Sequence, residues 1–179
     1  MKVLPSLLAA AALVTALAGP VRAQMGAGAR TPPPGSQFPE ITLPDVTGKL
    51  VSLSDFKGKA ILLSFWSCHT DTCFTSVRVI EDLLKEYAPR GLVAPTICSE
   101  IPPALEKDGY AGLMKQCGTG QVLLIDKDMV QTRKLGLGPS QLPTTFLIDR
   151  NHAVWQVIEG IRPLMTEDFR VLVKSLVTE

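Results

Sequence analysis

The chain has 179 residues, 46% of them hydrophobic, and carries 18 basic against 17 acidic side chains, a formal net charge of +1 at pH 7. A balance so near zero, with no basic block, excludes nucleic acid as an expected partner. The length suffices for one domain that buries a sizeable core without disulfide staples, so the four cysteines, Cys68, Cys73, Cys98 and Cys117, are free for chemistry.

Lys2, an apolar run from Val3 to Ala18 and the small-residue site Val21-Arg22-Ala23 predict a secretory signal peptide over residues 1–23. The run is short for a membrane span and no lipid-accepting cysteine follows it. Cleavage after Ala23 is therefore expected, with membrane attachment only if the segment is retained. Export places every cysteine where disulfides are permitted, in the periplasm or another extracytoplasmic space. Residues 24–37, rich in Ala, Gly and Pro, predict a disordered tether ahead of a single domain over residues 38–179.

From Phe38, two short extended runs flank a turn at Asp45 to Lys49, and Ser54 is expected to cap one helical turn. Ala60 to Trp66 is an apolar run of strand length. The polar loop behind it holds Cys68 and Cys73, at the C-terminal strand edge where α/β sheets place their chemistry. Val77, Ile80, Leu84 and Tyr87 then recur at helical spacing, and Cys73 continues their stripe into the first turn. There, free backbone N–H groups and the helix dipole favour a thiolate, whereas the neighbouring Asp71 opposes one; the sequence leaves the net sign open. Leu92 to Cys98 predicts a second strand, parallel to the first because a helix joins them, with Cys98 on the same edge as Cys68. Ile101 to Gln116 predicts a helix broken near Gly109 and Gly112, Val122 to Asp126 a short strand, and Asp128 to Leu135 a short helix ended by Gly136. Leu142 to Asp149 and Ala153 to Ile158 predict an antiparallel pair around the Arg150 to His152 turn, and Thr166 caps a final helix.

Phe38-Pro39, the Leu53 to Lys59 stretch, Phe65-Trp66 and Leu142-Pro143-Thr144-Thr145-Phe146-Leu147-Ile148-Asp149 resemble the TlpA/ResA-like group of exported thiol–disulfide oxidoreductases. The resemblance covers about residues 38–177 and implies a thioredoxin-like α/β fold, a central mixed sheet flanked by helices with an N-terminal β-hairpin. It further implies that Pro143 is a cis-proline facing the active-site cysteines and that Pro143, Trp66 and Thr144 bind the substrate. The family pattern F-W-x-x-W-C-x-x-C places His69 at its second Trp, Thr70 at its attacking cysteine and Cys73 at its resolving cysteine. The usual nucleophile is therefore absent and C-x-x-x-x-C, Cys68 to Cys73, remains. Thr70-Asp71-Thr72-Cys73 also resembles the peroxiredoxin T-x-x-C pattern, although Trp66 and Pro143 stand where that family carries a proline and an arginine.

Either cysteine of the pair could attack. Cys68 in the loop is expected to be the more exposed and so the nucleophile, with Cys73 resolving. Cys98 reads equally as a buried apolar residue or as a third redox cysteine, Cys117 as a buried thiol, and Glu100 as a solvated loop carboxylate in preference to a proton relay. The expected function is thiol–disulfide exchange with a Cys68/Cys73 redox pair, serving cell-envelope redox homeostasis without metal or cofactor. Its partners would be protein or small-molecule disulfides and thiols, with a membrane or soluble thiol as electron donor. One alternative is an antioxidant thiol peroxidase acting on peroxide through Cys73, with Thr70 as its hydrogen-bonding partner. Another is a degenerate module that binds protein, or binds copper or zinc through His69 and the cysteines.

Overall fold

The computed structural model describes residues 30–118 and 120–178; the expected signal peptide over 1–23 and the first residues of the expected tether lie outside them. All eight residues of β3, Ala60–Ser67, are buried, as a strand covered on both faces requires, and the sheet is built outward from it. On one side β3 pairs parallel with the short β4, Leu92–Val93, and with β5, Pro95–Ser99, which pairs parallel with β6, Val122–Asp126. On the other it pairs antiparallel with β7, Thr144–Ile148, which pairs antiparallel with β8, Val154–Glu159. The strand expected from Leu92 to Cys98 is thus two pieces; Pro95 has no N–H to give a ladder, and the pairing resumes beyond it.

Alternate residues of β3 face opposite layers. Ala60 and Leu62 meet Ile80, Leu83 and Leu84 of α1, Asp71–Tyr87, together with Phe169, Val173 and Leu176 of α5, Glu167–Thr178. Ile61, Leu63 and Phe65 meet Ile41, Leu43 and Leu53 from the hairpin of β1, Thr42–Pro44, and β2, Leu50–Ser52. Phe146 sits edge-on between Phe38, at a centroid separation of 5.0 Å, and Phe65, at 5.8 Å. Helix α5 begins as expected, with the Thr166 hydroxyl accepting the Phe169 N–H at 3.3 Å.

Several local expectations change. The turn after β2 is a 3-10 helix, Leu53–Phe56, capped from Ser52 and not Ser54, because Asp55 reaches back to accept the Ser52 N–H at 2.9 Å. The broken helix is α2, Pro103–Lys107, and α3, Ala111–Cys117; Gly109 and Tyr110 take left-handed backbone at the break, and Gly112 continues α3. The short helix α4, Val130–Lys134, starts later than expected because Asp128 and Met129 are left-handed, and the Asp126 carboxylate receives the N–H groups of Gln131 and Thr132. The tether expected through Gln37 is docked at its end: Gly35 donates to the Val154 carbonyl at 2.7 Å, Val154 donates to Ser36 at 2.8 Å, and Gln37 bridges Ala153. The start of β8 is a sheet edge with open backbone groups, and this segment satisfies them. Among the described residues no helix is long and apolar enough to cross a membrane.

Replacing Phe146, which has no exposed surface, by Ala should lower the unfolding free energy by about 3–5 kcal/mol in urea titrations. Val171→Ala, on the 54% exposed outer face of α5, should change it by less than about 0.5 kcal/mol.

Candidate active site

The parallel register of β3 and β5 fixes the site. Trp66 pairs with Cys98 and Ser67 with Ser99, so Trp66 and Cys98 project to the same face of the sheet. Cys98 in turn pairs with Ile125 on β6. The next residue on that face after Trp66 is Cys68, just past the end of β3. These side chains join Cys73 and Val77 of α1 and Leu113 and Cys117 of α3 in one apolar cluster. All four sulfurs therefore lie in a single neighbourhood at the C-terminal end of the parallel strands.

Their environments differ sharply. Cys68 is half-buried, whereas Cys73, Cys98 and Cys117 have at most 2% of their surface exposed. Thr70 is the N-cap of α1; its hydroxyl and its carbonyl both receive the Cys73 N–H, at 3.4 and 3.1 Å. The Cys73 sulfur accepts the Ser67 N–H at 3.4 Å, which ties the first turn of α1 to the end of β3. The Cys68 thiol lies 3.4 Å from the Glu100 carbonyl, and the Cys98 sulfur 3.8 Å from the Ser99 carbonyl, so both sit over the last peptides of β5. Glu100 itself holds a left-handed backbone, with φ 56°, and contributes its carbonyl to the sulfur it adjoins.

The neighbouring Cys98 thiol is the main influence that lowers the Cys68 pKa, to about 7. Partial burial opposes the shift, while His69 and a local backbone N–H assist it and the Glu100 charge resists it. The neighbouring Cys68 thiol and deep burial drive Cys98 far above the ordinary thiol range. Burial, with the Glu81 carboxylate nearby, pushes Cys117 up to about 12. Cys68 is thus the thiol that combines access with a depressed pKa, the two requirements of an attacking sulfur.

On the other flank of β3 the pairing of Phe65 with Thr144 puts Pro143 across from Trp66, and the Leu142–Pro143 peptide is cis. Pro143 is buried and its carbonyl accepts the Gly160 N–H at 2.8 Å. The side chains of Trp66 and Thr144, expected at the substrate site, are buried like Pro143, Trp66 against Phe74 and Thr144 with its hydroxyl donated to the Gln141 carbonyl. Burial is what the inner register of a central sheet imposes. His69 is exposed, and among the described residues no three His, Cys, Asp or Glu side chains converge to hold a metal ion. The placement of Cys98 and Cys68 as diagonal neighbours on one sheet face is the feature that sequence reasoning missed, since it follows from register and not from spacing along the chain.

Residues 34–157 match the model of the AhpC/TSA family. The chain belongs to that family. Within it, the chain is 31% identical over 126 residues to the thiol-disulfide oxidoreductase ResA of Geobacillus kaustophilus, covering 70% of this chain and 69% of that one. It is 28% identical over 165 residues to ResA of Bacillus subtilis, covering 90% and 88%. Among solved structures, a thiol:disulfide interchange protein DsbE from Chlorobium tepidum superimposes with a TM-score of 0.71 at 24% identity, over 82% of this chain and 99% of that chain. The protein is a ResA-like redoxin of thioredoxin-like fold, an oxidoreductase of the thiol–disulfide class.

Native alkylation by iodoacetamide at neutral pH should label Cys68 alone, as read by peptide mass spectrometry. Cys73, Cys98 and Cys117 should react only after unfolding, because burial denies them the reagent.

Proposed function

We propose that this redoxin is an exported enzyme that exchanges disulfides with protein or small-molecule partners through Cys68 as its attacking thiol, in the service of extracytoplasmic redox balance. The observation that carries the reading is the half-buried Cys68 sulfur at the sheet edge, with its pKa held near 7 by an adjacent thiol. About half of such a thiol is thiolate at neutral pH, and exchange proceeds through the thiolate. Pro143, one position beyond the Phe65–Thr144 pair, stands where an extended substrate backbone would pass the site. The signal-like pattern of residues 1–23, with Lys2, an apolar run and a small-residue site, supports an extracytoplasmic location.

The peroxidase reading has less to stand on. Cys73 is 1% exposed, its sulfur is engaged by the Ser67 N–H, and the Thr70 hydroxyl is occupied in capping α1. Insulin reduction driven by dithiothreitol separates the two. Cys68→Ser should lower the rate by at least about 100-fold, whereas Thr70→Val should keep it within about twofold and cost about 1 kcal/mol of stability through loss of the cap. A Cys68→Ser enzyme that keeps its rate, or a Thr70→Val enzyme that loses its peroxide turnover alone, would overturn the assignment.

A further inference from the structure

We propose that Cys98 is the thiol that closes an intramolecular disulfide with Cys68, so that the redox couple spans β3 and β5 instead of lying within the Cys68 to Cys73 loop. The inference rests on Cys68 as the attacking thiol and deepens that reading by naming its partner.

Three independent placements carry it. The pairs Trp66 with Cys98 and Ser67 with Ser99 put Cys68 and Cys98 on one sheet face as diagonal neighbours. Both sulfurs lie over the last peptides of β5, Cys68 against the Glu100 carbonyl and Cys98 against that of Ser99. The sulfur of Cys73, by contrast, is turned to the Ser67 N–H and satisfies a buried backbone donor, a structural task. With parallel strands about 4.8 Å apart and a rise of about 3.3 Å per residue, diagonal neighbours are roughly 8 Å apart at Cα, against at most about 6.8 Å for a disulfide, so closure needs a shift on the order of 1 Å. The last ladder pair is Ser67 with Ser99, which leaves Cys68 in the loop to make that shift.

The chemistry balances as follows. The Cys68 thiolate attacks one sulfur of a substrate disulfide, forming a mixed disulfide and expelling the other sulfur as a thiolate that takes a proton from solvent. Cys98 then attacks the Cys68 sulfur, its proton passing to the departing substrate sulfur, so that the Cys68–Cys98 disulfide forms as the bond to substrate breaks and the second substrate thiol leaves. The substrate gains two electrons and two protons, and the protein dithiol gives them up; the reverse order oxidises a substrate dithiol. While Cys68 is a thiolate, its charge and the burial of Cys98 both keep Cys98 protonated. Formation of the mixed disulfide removes that charge and lowers the barrier to deprotonating Cys98.

The test uses 5,5′-dithiobis(2-nitrobenzoate) on the reduced protein, with release of thionitrobenzoate followed by stopped flow and the products mapped by mass spectrometry. The unsubstituted protein should release two equivalents in its fast phase and yield a peptide linking Cys68 to Cys98. Cys98→Ala should stop at one equivalent, with the adduct retained on Cys68, whereas Cys73→Ala should still release the second. Replacing Cys98, which has no exposed surface, can cost stability, and the linkage mapped in the unsubstituted protein reads the pair without any substitution. A Cys68–Cys73 linkage, or a second equivalent that survives Cys98→Ala and vanishes in Cys73→Ala, overturns the proposal. A stable single adduct on Cys68 of the unsubstituted protein also overturns it, while leaving Cys68 as the nucleophile. Absence of fast release would instead defeat the reading of Cys68 itself.

Discussion

The parallel pairing of β3 with β5 is the constraint from which the rest of the site follows. Because Trp66 is held opposite Cys98, the residue after β3 on the same face, Cys68, emerges beside a second thiol. The helix that follows must begin immediately, and Thr70 supplies the cap that lets it do so. The apolar stripe of α1 then lies over Ala60 and Leu62, while its first turn carries Cys73 under the same end of the sheet. Slipping that register by one residue would turn Cys98 to the hairpin face and dissolve the arrangement.

Activation of Cys68, the proposed nucleophile, draws on more than a helix terminus. The nearby Cys98 thiol favours the Cys68 thiolate, and the exposed His69 adds a favourable field. The cost is deferred to Cys98, which is buried and held protonated. Such a division suits a pair in which one sulfur meets the substrate and the other waits. The resemblance to TlpA/ResA-like proteins expects a cysteine at position 70; here the accessible thiol, Cys68, lies two residues earlier, and Thr70 caps α1.

Much of the fold was legible because the signals were local and redundant. The apolar run of β3, the stripe of α1, the Thr166 cap and the antiparallel pair after Pro143 each follow from periodicity or capping within a few residues. What the sequence did not disclose depends on partners distant along the chain. The docking of Gly35 and Ser36 needs the open edge at Val154, the cap at Ser52 depends on which way Asp55 turns, and the left-handed Asp128 and Met129 answer to the Asp126 carboxylate. The site divides in the same way. That Cys68 and Cys98 share an edge was readable from strand order, but that they share a sheet face as diagonal neighbours needs the register of two strands, and the burial of Trp66 and Thr144 needs the layers on both sides of the sheet.

The most direct test of the account is the absorbance of thiolate near 240 nm, followed through a pH titration of the reduced protein with and without the Cys98→Ala substitution. One thiolate should appear with a midpoint near 7 and disappear in Cys68→Ser, and its midpoint should rise toward the ordinary thiol value of 9.0 when Cys98 is removed. The direction follows from the sign of the interaction: a neighbour that stabilises the thiolate lowers the pKa, so losing it demands a higher pH for the same charge. A first thiolate that forms only near the ordinary value, or a midpoint that Cys98→Ala leaves in place, would contradict the claim that the sheet register makes Cys68 the nucleophile.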